Sequence, residues 1–130
     1  MPPKRSDQSS AILTKLAFSF EFYDSKEYCL SEWEKEKIRL ALVRLGEINS
    51  KTLGEIMQQR KTLHFYETDW AKTIKKNGFS RDVPGEPYHF GLPGLNGQKA
   101  RVYGSVSGSI FYVVWFDFDH EIWPTFKRHT

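Results

Sequence analysis

The chain has 130 residues, 39% hydrophobic and 15% aromatic, and its 19 Lys and Arg against 16 Asp and Glu leave a net charge of +3. That length suits one domain with a real apolar core and excludes two independent ones, and the composition excludes a disordered or fibrous chain. The slight basic excess permits a nucleic-acid or acidic protein partner without requiring either.

Residues 1–10, MPPKRSDQSS, offer nothing to bury and lack the apolar stretch of a signal peptide, so they read as a flexible tail before a single domain at 11–130. In LAFSFEFY, Phe18, Phe20 and Phe22 alternate with small or polar residues, the period of a strand with one buried face. Cys29 is the only cysteine, which excludes an internal disulfide and a cysteine-built zinc site and fits a reducing cytosol. Ser31 with Glu34 has the spacing of a capping box and predicts a helix start. Ile38, Ala41, Leu42 and Leu45, widened by Trp33, Leu40 and Ile48, predict the buried stripe of that helix, which ends near Gly46. Thr52 with Glu55 forms a second capping box for a short helix to about Arg60, with Leu53, Ile56 and Met57 inward.

TLHFYE at 62–67 predicts a short strand, and DWAKTIKKNG at 69–78 a helical stretch stopped by Gly78. Prolines and glycines make 78–97 mostly loop, with 87–91 as an edge strand. Gly91–Gly97 lacks the Lys-Ser/Thr ending of a phosphate cradle and is a turn, not a nucleotide loop. From 99 to 117 a mixed run, a Ser107-Gly108-Ser109 turn and an unbroken apolar run predict a β-hairpin whose second strand is covered on both faces. A three-residue turn sets Arg101 opposite Trp115 and Lys99 opposite Asp117. The expected fold is α+β: a small antiparallel sheet with a C-terminal hairpin, packed against two or three helices. No apolar run approaches the roughly 20 residues of a membrane span, so the expected location is cytoplasmic.

The hairpin runs into Asp117, Asp119, His120 and Glu121. Oxygen ligands with an imidazole suit a divalent cation, but the spacing matches no specific metal motif; the acids are read as ending the strand, with His120 the member suited to catalysis. No metal or other cofactor is therefore expected. Basic residues gather at Lys72, Lys75, Lys76 and Arg81, on the hairpin at Lys99 and Arg101, and at Lys127 and Arg128. With Tyr88, Tyr103 and Trp123 they combine cations for phosphates with rings for bases, as RNA-binding surfaces do.

The order strand, two helices, hairpin, together with RVYG at 101–104 and IFYVVWFD at 110–117, resembles the RelE/ParE superfamily of toxins. The resemblance covers about half the chain and implies helices on a small antiparallel sheet, a small antitoxin as partner, and one of two targets: messenger RNA on the ribosome, cut without a metal, or DNA gyrase. Arg101 matches the family's sheet arginine in position, and His120, His89, Tyr88 and Lys99 are the candidates for acid and base. The chain departs from the family in its insertion from Lys61 to Pro87 and in its acids at 117–121, which would repel RNA if they lined the cleft. The alternative function is a non-catalytic phage or mobile-element protein that binds a host protein or nucleic acid, and a third is a metal nuclease built on the acidic cluster.

Overall fold

The computed structural model describes residues 12–124; the expected tail at 1–10, and Lys127 and Arg128, lie outside the described residues. Five strands form one sheet: β1 (Ala17–Ser19), β2 (Tyr66–Glu67), β3 (Glu86–Gly91), β4 (Arg101–Ser107) and β5 (Ile110–Asp117), in the order β1-β5-β4-β3-β2. Helices α1 (Lys35–Asn49), α2 (Leu53–Gln58) and α3 (Arg60–Leu63) complete the α+β fold, with short 3-10 turns at Leu30–Glu32, Trp70–Lys72 and Asn96–Gln98. The sheet is mixed, since β1 runs parallel to β5 while the other pairings are antiparallel. A parallel neighbour needs a long crossover, and everything between Ser19 and Ile110 provides it.

The hairpin stands as expected, but its register does not. Only Gly108 and Ser109 make the turn, with Gly108 at φ 62, a conformation glycine adopts without steric cost. Ser107 pairs with Ile110 and Gly104 with Val113; Val114 is then extra, and Tyr103 pairs with Trp115. The shorter turn and the bulge each move the pairing on by one, so that Arg101 faces Asp117 rather than Trp115. The bulge also exchanges the faces of β5: Phe111 and Val113 join the core beneath the helices, as does Phe116, whereas Val114 and Trp115 join a second cluster on the other side. Strict alternation fails at that one residue, while the prediction of a strand buried on both faces holds.

On the first face, Ala41, Leu45 and Ile48 of α1 and Ile56 of α2 meet Phe90, Val102, Phe111 and Phe116. Each large side chain buried there contributes roughly 1.5–3 kcal/mol. Leu42, expected in this stripe, is 54% exposed, because a helix turns about 100° per residue and the Ala41-Leu45-Ile48 row sets the inward direction. The Thr52–Glu55 capping box forms, with the Thr52 amide donating to Glu55 Oε1 at 2.8 Å and the Glu55 amide to Thr52 Oγ1 at 3.1 Å. The Ser31–Glu34 box does not: α1 starts at Lys35 and Glu34 makes no side-chain cap. Trp33 packs edge-on to Phe116 and Phe118 while the Leu30 amide donates to the Tyr23 hydroxyl at 2.7 Å. These contacts draw the segment onto the sheet and outweigh a cap, which contributes about 1 kcal/mol.

Several expected boundaries move for the same reason, tertiary contacts overriding local pattern. The first strand stops at Ser19, leaving Phe20 47% exposed and Phe22 against the second cluster. The 62–67 strand shrinks to Tyr66–Glu67, because Thr62 and Leu63 finish α3. The 69–78 helix is a single 3-10 turn followed by loop: Trp70 packs on Phe79, Tyr103 and Trp115, and the Ile74 amide donates to the Ile122 carbonyl. The 87–91 segment is an inner strand, with β4 on one side and the two-residue β2 on the other.

Candidate functional site

Arg101 and Tyr103 leave β4 on the face opposite α1 and α2, level with Gly91 and His89 of β3. His89 is buried, its ring 5.1 Å from that of Tyr103 and 5.2 Å from that of Trp123, and its Nδ1 lies 2.9 Å from Thr68 Oγ1. His64 reaches the same place from the C-terminal cap of α3. A Cβ built on Gly91 would stand 3.2 Å from both His64 Cδ2 and Arg101 Nη1. His120 comes from the turn after β5, and the charge of Arg101 acts on it, on His64 and on His89. Three histidines from three segments thus lie within the electrostatic reach of one arginine.

The electrostatics follow from this crowding. Burial, then the Arg101 charge and the two other imidazoles, pushes His89 down to about 4. Burial and Arg101 also lower His64; for His120, burial leads, followed by Arg101, His64 and Lys99. All three imidazoles are neutral at pH 7 and can accept protons. Arg101 donates through Nη1 to the carbonyls of Gln98 at 2.7 Å and Ala100 at 3.1 Å. It makes no ion pair among the described residues, so its remaining N–H groups are open to an anion.

Backbone strain coincides with the cluster. His64 (φ 55) and His120 (φ 60) both occupy the left-handed region, which costs a non-glycine residue roughly 1–2 kcal/mol and concentrates at functional positions. His64 was not among the expected site residues, because its place in a presumed strand hid the turn that aims it. The left-handed conformation, to which histidine is more tolerant than most, leaves no mark in the sequence.

The other candidates divide. Lys99 is exposed beside His120, and Lys72, Lys76 and Arg81 are exposed on the loop crossing this face. Lys75 pairs with Glu27 and lies 4.8 Å from the Trp115 ring centre. Tyr88 projects to the helix face, packed on Phe65, and so stands apart from Arg101. Tyr103 is fully buried and cannot stack on a base; its hydroxyl has no hydrogen-bond partner among the described residues. Burial, with Asp117 next, raises its phenol well above the usual range.

The acids do not crowd the histidines. Asp117 is buried and accepts the Glu121 amide at 2.9 Å and the Ile122 amide at 2.7 Å, closing the turn that carries His120. Asp119 accepts from Asn96 Nδ2 at 2.9 Å. Asp117, Asp119 and Glu121 line a separate hollow with Glu32 and Glu34. Among the described residues no group of three or more His, Cys, Asp or Glu side chains is arranged to hold a metal ion. Among the described residues no helix is long and apolar enough to cross a membrane. Comparison with known proteins gives no match for this chain among protein families, curated proteins or solved structures.

Proposed function

We propose that the protein is a RelE/ParE-like toxin that cleaves RNA without a metal, acting in the cytoplasm on messenger RNA at the ribosome and held in check by a cognate antitoxin. The observation that carries this reading is the placement of His64 and His89 beside Arg101, which is unpaired among the described residues and whose charge also acts on His120. Cleavage of RNA by its own 2′-hydroxyl needs a base for that hydroxyl, cations for the charge growing on the phosphate, and an acid for the departing 5′ oxygen. His120, half-buried and neutral, takes the proton. Arg101 holds the phosphate, and Lys99 protonates the leaving oxygen. His89, with Nδ1 tied to Thr68 and its ring between Tyr103 and Trp123, is a positioning residue. The exposed Lys72, Lys76 and Arg81 supply the phosphate track.

Growth arrest on expression tests the reading. Arrest relieved by Arg101→Ala or His120→Ala, with both variants folded and present at wild-type levels, supports it. Unimpaired growth with the wild-type chain, or arrest with all four histidines replaced, favours instead a non-catalytic protein that binds a host target.

A further inference from the structure

Two hollows flank the turn Leu30–Glu32, one against the helix-side core and one at the end of the hairpin where Asp117 faces Arg101. One, of about 430 Å³, is lined among the described residues by Phe20, Tyr23, Leu30, Ile38 and Phe116, with Ser31 at its edge. The other, of about 530 Å³, is rimmed by Glu32, Glu34, Asp119 and Glu121 and walled by Trp33 and Phe118. Buried Phe116 lies beneath both, so an apolar hollow and an acidic one stand on either side of the turn. Phe20, at 47% exposure, and Leu42, one helical turn beyond Ile38 at 54%, extend the apolar half.

The charge balance of this surface opposes that of the chain. The protein carries +3 overall, yet among the described residues Lys37 is the sole cation lining the acidic hollow. Glu32, Glu34 and Glu121 make no ion pair among the described residues. Groups at the hollow register the negative field: burial, then the charges of Asp117 and Glu121, raises Tyr28, and burial, then Glu32, raises Cys29. Aromatic walls beside unpaired carboxylates suit a guanidinium or ammonium on an aliphatic stem, which stacks its stem and pairs its head. The apolar half then requires large aliphatic or aromatic side chains a few residues away.

We infer that this surface docks a partner protein through a basic amphipathic segment, its Lys or Arg side chains entering the acidic hollow and its apolar side chains the Phe20–Ile38 groove. The charge complementarity selects that occupant over an acidic segment or a nucleic acid, both of which the carboxylates repel. The acidic half adjoins the Arg101 cluster through Asp117, Asp119 and Glu121, and the inference does not rest on the reading given above.

Two synthetic peptides test it by NMR on the isotope-labelled full chain: a 15-residue amphipathic sequence of Leu, Phe, Lys and Arg, and its counterpart with every Lys and Arg replaced by Glu. The basic peptide should shift the Trp33 indole N–H and the Leu30–Glu32 amides saturably and bind at least tenfold tighter than the acidic one. Glu32→Gln/Glu34→Gln/Glu121→Gln and, separately, Phe20→Ser, all at exposed positions, should each weaken it tenfold or more, while Arg101→Ala should not. Equal binding of the two peptides, shifts confined to the histidine side, or no effect of either set of substitutions would overturn the inference. So would spermine matching the peptide at the same resonances, since that describes a small-amine pocket and no docking surface.

Discussion

Arg101 and Asp117 face one another across the β4–β5 ladder without forming an ion pair. The carboxylate accepts two backbone amides of its own following turn, and Nη1 of the guanidinium donates to carbonyls of its own preceding one. Each charge organises a loop, and between them the loops bring His120 up to the arginine. The pair marks the divide between the basic face with its histidines and the acidic hollow.

Asp117 should therefore matter to folding more than a surface acid does. Burial raises its carboxyl above the usual range, and the amides of Glu121 and Ile122 oppose that shift. Asp117→Ala strands both donors, and each buried donor left unpaired costs about 1–3 kcal/mol. Urea denaturation should show a loss of about 3 kcal/mol, with Asp117→Asn falling in between. A loss under about 0.5 kcal/mol, the range of ordinary surface substitutions, would contradict this role.

The bulge at Val114 sets which residue Arg101 faces, and Gly104 makes it possible. A Cβ there would stand 2.1 Å from the Tyr112 carbonyl oxygen and 2.4 Å from the Phe111 ring. Backbone cannot yield that distance cheaply, so Gly104→Ala should destabilise by about 2–3 kcal/mol, at the upper part of the usual range for overpacking. Thermal unfolding checks this, and an unchanged midpoint would place the bulge elsewhere.

What could be read from the chain, and what could not, divides at such contacts. The hairpin, the Thr52–Glu55 box and the doubly buried β5 are local patterns, and they stand. Val114 as the extra residue is invisible in an unbroken apolar run, because every neighbour is as apolar as the next. The β1–β5 parallel pairing joins residues about 90 apart, and no local periodicity encodes it. Trp70 pulls its segment into the second cluster and ends the expected helix early. Of the residues the sequence suggests, His89 lies level with Tyr103 one pair from Arg101, and Arg101 and Lys99 act on His120 by charge; His64 arrives through a left-handed cap, and Tyr88 falls on the other face by one residue of alternation.

Stability should fall with acid through the histidines. An unfolded imidazole titrates at 6.5 and buried His89 at about 4, so between those values the unfolded chain binds more protons. Stability is then fully present above pH 6.5 and is lost as pH drops toward 4. For His89 the loss is about 3 kcal/mol, and the lowered His64 and His120 add in the same direction. Chemical denaturation at pH 7, 5.5 and 4 should show this slope, and His89→Phe should flatten it. A His89→Phe protein that loses stability as steeply as the wild type would show that His89 is not buried neutral.

The central claim is that Arg101 and His120 cut RNA, and sequencing of messenger ends after incubation with translating ribosomes tests it most directly. The wild-type chain should produce codon-positioned cuts with 5′-hydroxyl ends, reduced at least a hundredfold in Arg101→Ala and in His120→Ala, the loss expected for an anion-stabilising group or an acid–base residue. Ends indistinguishable from those without added protein, or cuts that persist in both variants, would contradict it.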